Sequence, residues 1–444
     1  MCSFIFTEKG VSNTEDINFY TKFRGPDQTN TRVVHNHTFI HNLLSITGPL
    51  TSQPFIDDSG DIVCLYNGEI YNHPDLWTDK SDGECLIPLY KKYSFDFVKY
   101  LDGEFSIILF DFKKKKVLFS ADTFKTKPIF YADGAGNLGC ASYATPLELL
   151  GHHNVRKLSP NTAKVFDLES GREVRTFKIY NFDLKQYKTT FEDWRTAFQK
   201  SIKKRTHGLR EKVFVGLSSG YDSGAIVCEL LKQHKPFKAY TVVGTEDINV
   251  INSRKSLLNG NTEFQELFRT PAEMNEAHAH IVHKTEEFKY VTYSNSSEYN
   301  EFDLSLVADN GSNSLSLLCS QAIRDQNKIL LSGSGADEIF SDYGFGGHKK
   351  YKHSNFGGLF PDDLESIFPW PSFFNSSMES YLAKEEYVAG SYGIESRYPF
   401  LDNSVVQEFL WLTSELKNRY YKSVLHNYLT YNNFPFKEGE KIGF

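Results

Sequence analysis

The chain has 444 residues, 40% of them hydrophobic and 24% charged, with a formal net charge of −7. That length leaves room for roughly two or three domains with their own cores, and the charge counts against a protein built to coat nucleic acid, a local basic patch aside. No apolar run approaches the roughly 20 residues of a membrane span.

The opening MCSFIFTEKG lacks the basic region and long apolar core of a signal peptide. Six cysteines, at positions 2, 64, 85, 140, 228 and 319, show no CxxC or Cys/His ligand spacing. Neither zinc nor a disulfide framework is expected, and a reducing cytoplasm is the simplest compartment. With Met1 removed, Cys2 would carry a thiol and a free α-amine on one residue. An amine with a pKa of about 8 can act as base for its own thiol.

Residues 1 to about 180 alternate short strand signals with turns. GDIVCLYNGEIYN, EFSIILFDF, KVLFSAD and PIFYADGAGNLGCAS read as strands and hairpins. The lysines 113–116 fall between two strand-like runs, as a solvated hairpin tip. SDGECLIPLYKKY reads as a helix capped by Ser81 or Asp82. This half is α+β with much antiparallel sheet. From about 190 the texture changes. FEDWRTAFQKSIKKRTHGL is an amphipathic helix with Trp194, Phe198 and Ile202 at four-residue steps. Strand-like KVFVGLS, helical SGAIVCELLKQ and strand-like FKAYTVVG then predict a parallel α/β unit. The domains are expected at 1–183 and 190–444, without an internal repeat.

In VGLSSGYDSGAI a strand runs into a polar turn and a helix start. Ser218, Ser219 and Ser223 offer hydroxyls, Gly220 and Gly224 permit close approach, and the helix start offers free N–H groups, together an anion cradle. The Gly-Lys-Ser/Thr ending of a Walker loop is missing. A second such turn, LLSGSGADE, follows another strand. If both turns lie at the carboxyl edge of one sheet, they could grip a nucleotide, with Asp222 and Asp337 holding Mg²⁺ between its phosphates. Asp337 would serve equally as a helix cap.

LSSGYDSG resembles the SGGxDS pyrophosphate loop of the ATP pyrophosphatases. With LLSGSGADEIF and YGIESRYPFLD it resembles the synthetase half of glutamine-dependent asparagine synthetases. RGPD at 24–27, HNLLSITG at 41–48, QPF at 53–55, NGEIYNH at 67–73, SDGE at 81–84 and LDGEFSIILFD at 101–111 resemble a class II glutamine amidotransferase domain, in the same order. The resemblance implies an Ntn-hydrolase domain, an αββα sandwich, followed by an α/β parallel-sheet ATP-pyrophosphatase domain. It implies that Cys2 releases ammonia from glutamine, with Asn67 and the Gly68 N–H as oxyanion hole and Glu69 and Asp82 on the α-ammonium. ATP, with Mg²⁺, would be contacted by Leu217, Ser218, Ser219, Gly220, Asp222, Ser223, Val242, Ser332, Gly333 and Lys384. ATP would adenylate an acceptor carboxylate, by default aspartate, and ammonia would displace AMP. Neither nucleic acid nor membrane is an expected partner; a homodimer is usual for bacterial relatives.

The sequence departs from the family at four places. Leu43 stands where an arginine usually binds the glutamine α-carboxylate, with Arg24 or Arg32 as substitutes. Ser334 replaces a glutamate of the synthetase site. Tyr387 occupies an expected basic position, with Lys384 one helical turn away. Ser219 replaces the first glycine of SGG. The chain is short for the family, and Lys422, Lys437 and Lys441 near its end are possible phosphate contacts. Two other readings follow: the same architecture acting on a different acid, by amidation or β-lactam-synthetase-like cyclisation, and a non-catalytic binding protein. Cyclisation needs no ammonia source, so the intact first site counts against it.

Overall fold

The computed structural model describes residues 2–11, 13–72, 81–244, 246–293 and 299–439; Met1, His73 and Lys441 lie outside them. The first half is built from β1 (Ser3–Thr7), β2 (Gln28–Val34), β3 (His37–Leu43), β4 (Phe55–Ile56), β5 (Ile62–Ile70), β6 (Gly103–Asp111), β7 (Lys116–Ala121), β8 (Phe130–Ala132), β9 (Gly139–Ala141), β10 (Arg156–Lys157), β11 (Thr162–Asp167) and β12 (Glu173–Lys178). They form two six-stranded sheets, ordered β10-β8-β9-β1-β3-β2 and β12-β11-β7-β6-β5-β4.

Period-two alternation sorts the side chains into layers. Phe4 and Phe6 of β1 meet Phe39, Val63, Leu65, Ile108 and Phe110 between the sheets. Ile5, from the other face of β1, packs with Ile17 and Leu147 of the helices α1 (Thr14–Ile17) and α3 (Ala144–Leu149). Cys64, Tyr66, Ile107 and Leu109 face Leu86, Leu89 and Tyr90 of α2 (Leu86–Tyr93). The result is a helix–sheet–sheet–helix sandwich, the αββα layering expected for the first half. Ser81 and Glu84 form a capping box at the 3₁₀ turn Asp82–Cys85 that leads into α2. The lysine run is the β6–β7 hairpin tip, Asp111 pairing with Lys116.

The second half contains β13 (Lys212–Gly216), β14 (Phe237–Val242), β15 (Thr262–Leu267), β16 (Asn327–Leu331) and β17 (Glu395–Arg397). All neighbours run parallel in the order β15-β14-β13-β16-β17. Around them lie α4 (Glu192–Arg205), α5 (Tyr221–Lys232), α6 (Ile248–Leu257), α7 (Pro271–Lys284), α8 (Asn310–Arg324), α9 (Ala336–Phe340), α10 (Ser377–Ser391), α11 (Asn403–Trp411) and α12 (Ser423–Tyr431). Trp194, Phe198 and Ile202 of α4 are fully buried in the same core as Ala225 and Tyr428. Strand order reverses between β13 and β16, which opens a crevice beyond their carboxyl ends. Both glycine-serine turns stand there.

Buried ion pairs join the halves. Arg205 contacts Glu104 and Asp402 at 2.8 Å each, Lys127 meets Glu386 at 3.0 Å, and Arg24 meets Glu386 at 2.7 Å. Breaking one partner of such a pair leaves a charge stranded without solvent, so the halves are held in one arrangement.

Candidate functional site

Cys2 enters β1 beside the middle of β5. Its backbone N–H donates to Asn67 Oδ1 at 3.0 Å, and its Sγ lies 3.9 Å from the Leu44 carbonyl. Asn67 is fully buried, yet among the described residues its Nδ2 has no hydrogen-bond partner. An unmet buried donor costs about 1–3 kcal/mol, a cost that a bound acceptor would offset. Gly68 has φ +142°, and a Cβ there would lie 1.9 Å from the Glu104 carbonyl oxygen. Only glycine fits.

Asp82 accepts hydrogen bonds from the Tyr66 hydroxyl and, at 2.9 Å, from the Ile70 N–H. Glu69 Oε2 is held by Arg397 Nη2 at 2.9 Å. Burial, reinforced by Glu395 and Asp82, pushes the Cys2 thiol up to about 11, so this side chain rests as a thiol. Burial also raises Glu69, against the pull of Arg397.

Arg397 is a site residue that the sequence reading placed with the second half alone. Its Nε donates to Glu395 at 2.7 Å and its Nη1 to the Arg205 carbonyl at 2.8 Å. Its own carbonyl accepts the Ser332 N–H at 2.9 Å, so one residue touches both sites. The pairing of Glu395 and Arg397 was legible, since residues two apart share a strand face; their target was not. Neither substitute for Leu43 is available. Arg24 is bound to Glu386, and Arg32 is exposed on β2 opposite Phe39.

In the second site Leu217 closes β13, its N–H on the Tyr240 carbonyl at 2.7 Å and its carbonyl accepting from Thr241 Oγ1 at 2.8 Å. Ser223 Oγ takes the Ser218 N–H at 3.0 Å and lies 2.9 Å from Ser218 Oγ, and Gly220 stands at the start of α5. Ser219 directs both its N–H and its hydroxyl to Glu246 Oε2, at 2.5 and 2.7 Å. A carboxylate is thus seated on the turn, an anion standing where the cradle was expected to hold one. Arg254, which the sequence reading missed, buttresses the turn from beneath. It donates to the Ser218 carbonyl and, at 2.8 Å, to the Gly220 carbonyl, and its Nη2 occupies the space a Gly224 Cβ would need.

Asp222 and Asp337 converge on one cation. Lys422 Nζ lies 2.7 Å from both Asp222 oxygens and 2.8 Å from Asp337 Oδ1. Gly333 lets the two turns touch, since its Cβ would come within 2.8 Å of Asp222 Cβ. Among the described residues no group of three or more His, Cys, Asp or Glu side chains is placed to hold a metal ion. Two carboxylates beside a phosphate site are nonetheless the donor set Mg²⁺ commonly takes. Lys437 pairs with Asp247 at 3.2 Å. The Val242 side chain is buried in the core at the end of β14.

Lys384 is held at the start of α8 by Asp309, 3.6 Å away. The residue of that turn of α10 that reaches the second loop is Glu385, whose Oε1 accepts from Ser332 Oγ at 2.8 Å and Ser334 Oγ at 2.7 Å. Among the described residues its Oε2 has no hydrogen-bond partner. Tyr387 is buried against Tyr143, ring centres 4.5 Å apart.

A family model described as a glutamine amidotransferase domain matches residues 1–165, and one described as asparagine synthase matches residues 193–366. A Methanocaldococcus jannaschii protein assigned as a glutamine-hydrolysing asparagine synthetase is 25% identical over 93% of this chain and 77% of its own. The human glutamine-hydrolysing asparagine synthetase is 25% identical over 89% of this chain and 73% of its own. Among solved structures, the glutamine phosphoribosylpyrophosphate amidotransferase of B. subtilis aligns at 12% identity with a TM-score of 0.33, over 61% of this chain and 82% of that one. Among the described residues no helix is long and apolar enough to cross a membrane.

Proposed function

The chain belongs to the glutamine-dependent asparagine synthetase family, and from that premise we propose an ATP-dependent carbon–nitrogen ligase with two sites, in domains spanning 1–183 and 190–444. In the first, the Cys2 thiol attacks the side-chain amide of glutamine, its proton passing to the α-amine that removal of Met1 would free. Asn67 Nδ2 and the Gly68 N–H receive the oxyanion, ammonia leaves, and water hydrolyses the thioester to glutamate. Glu69 and Asp82 face the substrate ammonium, with Glu69 shared with Arg397.

In the second site an acceptor carboxylate attacks the α-phosphorus of ATP and pyrophosphate departs. The turn Ser218–Ser223 and the N-terminus of α5 present N–H and hydroxyl donors to the phosphates. Mg²⁺, when bound by Asp222 and Asp337, would supply positive charge to the phosphate oxygens. Lys422 already places a cation between those carboxylates. Ammonia from the first site attacks the acyl carbon and AMP leaves; aspartate is the default acceptor.

The observation that carries this reading is the buried Asn67 amide, bonded to Cys2 through its oxygen and unsatisfied at its nitrogen. Amide-¹⁵N glutamine incubated with ATP, Mg²⁺ and aspartate should give ¹⁵N-asparagine, AMP and pyrophosphate. Labelled ammonia without asparagine would point to another acid, and absence of all turnover to a binding protein.

A further inference from the structure

Ser219 supplies two of the donors that the ligase reading turns to the phosphates of ATP, and both are taken within the chain. Its N–H and its hydroxyl converge on Glu246 Oε2, at 2.5 and 2.7 Å. An N–H and an O–H meeting on one carboxylate oxygen make charge-assisted bonds of the kind a phosphate oxygen would accept. The hydroxyl is present because a serine stands where the SGG pattern has its first glycine, so that departure from the pattern provides the second hook.

Glu246 stands on the short connection between β14, which ends at Val242, and α6, which begins at Ile248. The next residue holds the same serine, the Asp247 N–H donating to Ser219 Oγ at 3.0 Å. A later stretch of chain closes over both. The Lys437 N–H donates to the Ser219 carbonyl at 3.0 Å, its Nζ lies 3.2 Å from Asp247 Oδ2, and the Gly439 N–H donates to the Tyr221 hydroxyl at 2.9 Å. Each donor hydrogen of Ser219 serves one strong acceptor, and a phosphate oxygen brought to it would face the Glu246 carboxylate at contact distance, where like charges repel. The two anions therefore exclude each other. The side able to yield is Glu246, half-buried on a connection whose Gly244 is exposed, the kind of segment that opens at low cost.

We propose that Glu246 is an internal competitor for the phosphate seat: its carboxylate latches the Ser219 turn, and ATP binds by displacing it. The proposal rests on the ligase reading and adds a control to that same site. A ligand whose seat is free in only a fraction of molecules binds with an apparent affinity lowered by that fraction. One hydrogen bond to a charged group is enough to bias such an equilibrium about tenfold. The latch thus sets the affinity for ATP without touching the reacting atoms.

The test is titration calorimetry of the full chain with ATP and with pyrophosphate, each in Mg²⁺, a readout that does not depend on which acid is the acceptor. Glu246→Ala removes the carboxylate and should lower the Kd of both ligands about tenfold. Glu246→Gln keeps the shape without the charge and should shift both in the same direction by a smaller factor. Ser219→Gly removes the hydroxyl hook and leaves the N–H, so it too should tighten both ligands. Glutamate release from glutamine should stay unchanged in all three and checks that they are folded. A structural prop would behave in the opposite way: its removal would loosen the turn and weaken binding. If wild type binds ATP and Glu246→Ala binds it equally or more weakly, the ligase reading stands and the proposal is overturned. If neither wild type nor Glu246→Ala binds ATP or pyrophosphate, the ligase reading itself fails and takes the proposal with it.

Discussion

Lys422→Met removes the cation shared by Asp222 and Asp337 without much change of volume. The ammonium is buried and lies 2.7–2.8 Å from the aspartate oxygens, and the aspartates hold it protonated despite burial. At about 3 Å and an effective dielectric of about 20, each attraction amounts to about 6 kcal/mol before desolvation is counted. Removing one partner of a buried pair costs a net of about 3–5 kcal/mol. The Asp222 side chain is 23% exposed, so the lower end, about 3 kcal/mol, applies. For a domain of this size each kcal/mol moves Tm by about 2–4 °C, so the variant should melt about 6–12 °C lower. Differential scanning calorimetry with and without millimolar Mg²⁺ provides the readout. Mg²⁺ should raise the variant's Tm more than the wild type's, because the metal then meets the two carboxylates alone. An unchanged Tm with no Mg²⁺ response would show that the three groups do not form one charge cluster, and the metal assignment would go with it.

Other substitutions probe the remaining parts. Asn67→Asp replaces the unsatisfied donor by an acceptor of the same shape, and glutamine-driven turnover should fall about 10²–10³-fold while ammonia-driven turnover is kept; parallel assays with the two nitrogen donors decide. Arg397→Met leaves Glu69 and Glu395 without the guanidinium between them and should cost about 3–5 kcal/mol in chemical denaturation, with glutamine hydrolysis weakened as well. Among the described residues Lys417 is buried with three carbonyl-type acceptors and no carboxylate, and burial lowers it from 10.5 to about 7. Between pH 7 and 10 the unfolded chain therefore binds the extra proton, so stability should rise with pH across that window. Lys417→Met should flatten the rise, and a Tm–pH curve identical to wild type would refute the assignment.

Local pattern carried much of the fold. The alternation in SFIFT and IVCLYNGEI announces which side chains fill the space between two sheets, and the strand–turn–helix grammar around Ser218 and Gly333 places two turns at one sheet edge. Long-range side-chain choices were not legible. Arg254 reaches back more than thirty residues to the Ser218 carbonyl, and nothing in SRKSLL marks it. Glu385 shows how narrow the margin can be. Lys384 lies one turn from Tyr387, as helical spacing requires, but adjacent residues on a helix differ by about 100° in direction. That step turns Lys384 to Asp309 and Glu385 to the loop, and the helix's rotation is set by its packing, Tyr387 against Tyr143 and Glu386 bound by Arg24 and Lys127. Arg397 was hidden for a related reason: its motif belongs to the second half, whereas its guanidinium crosses to Glu69 in the first.

In the proposed ligase two separable sites share one chain, one that would free nitrogen at Cys2 and one that would split ATP beside Ser218. Its most direct test is AMP formation by Cys2→Ala, measured with the best acceptor acid and either glutamine or ammonium chloride as nitrogen source. Amide and AMP should form in equal amounts with ammonium and not with glutamine. Full activity with glutamine, or ADP and phosphate in place of AMP and pyrophosphate, would contradict it.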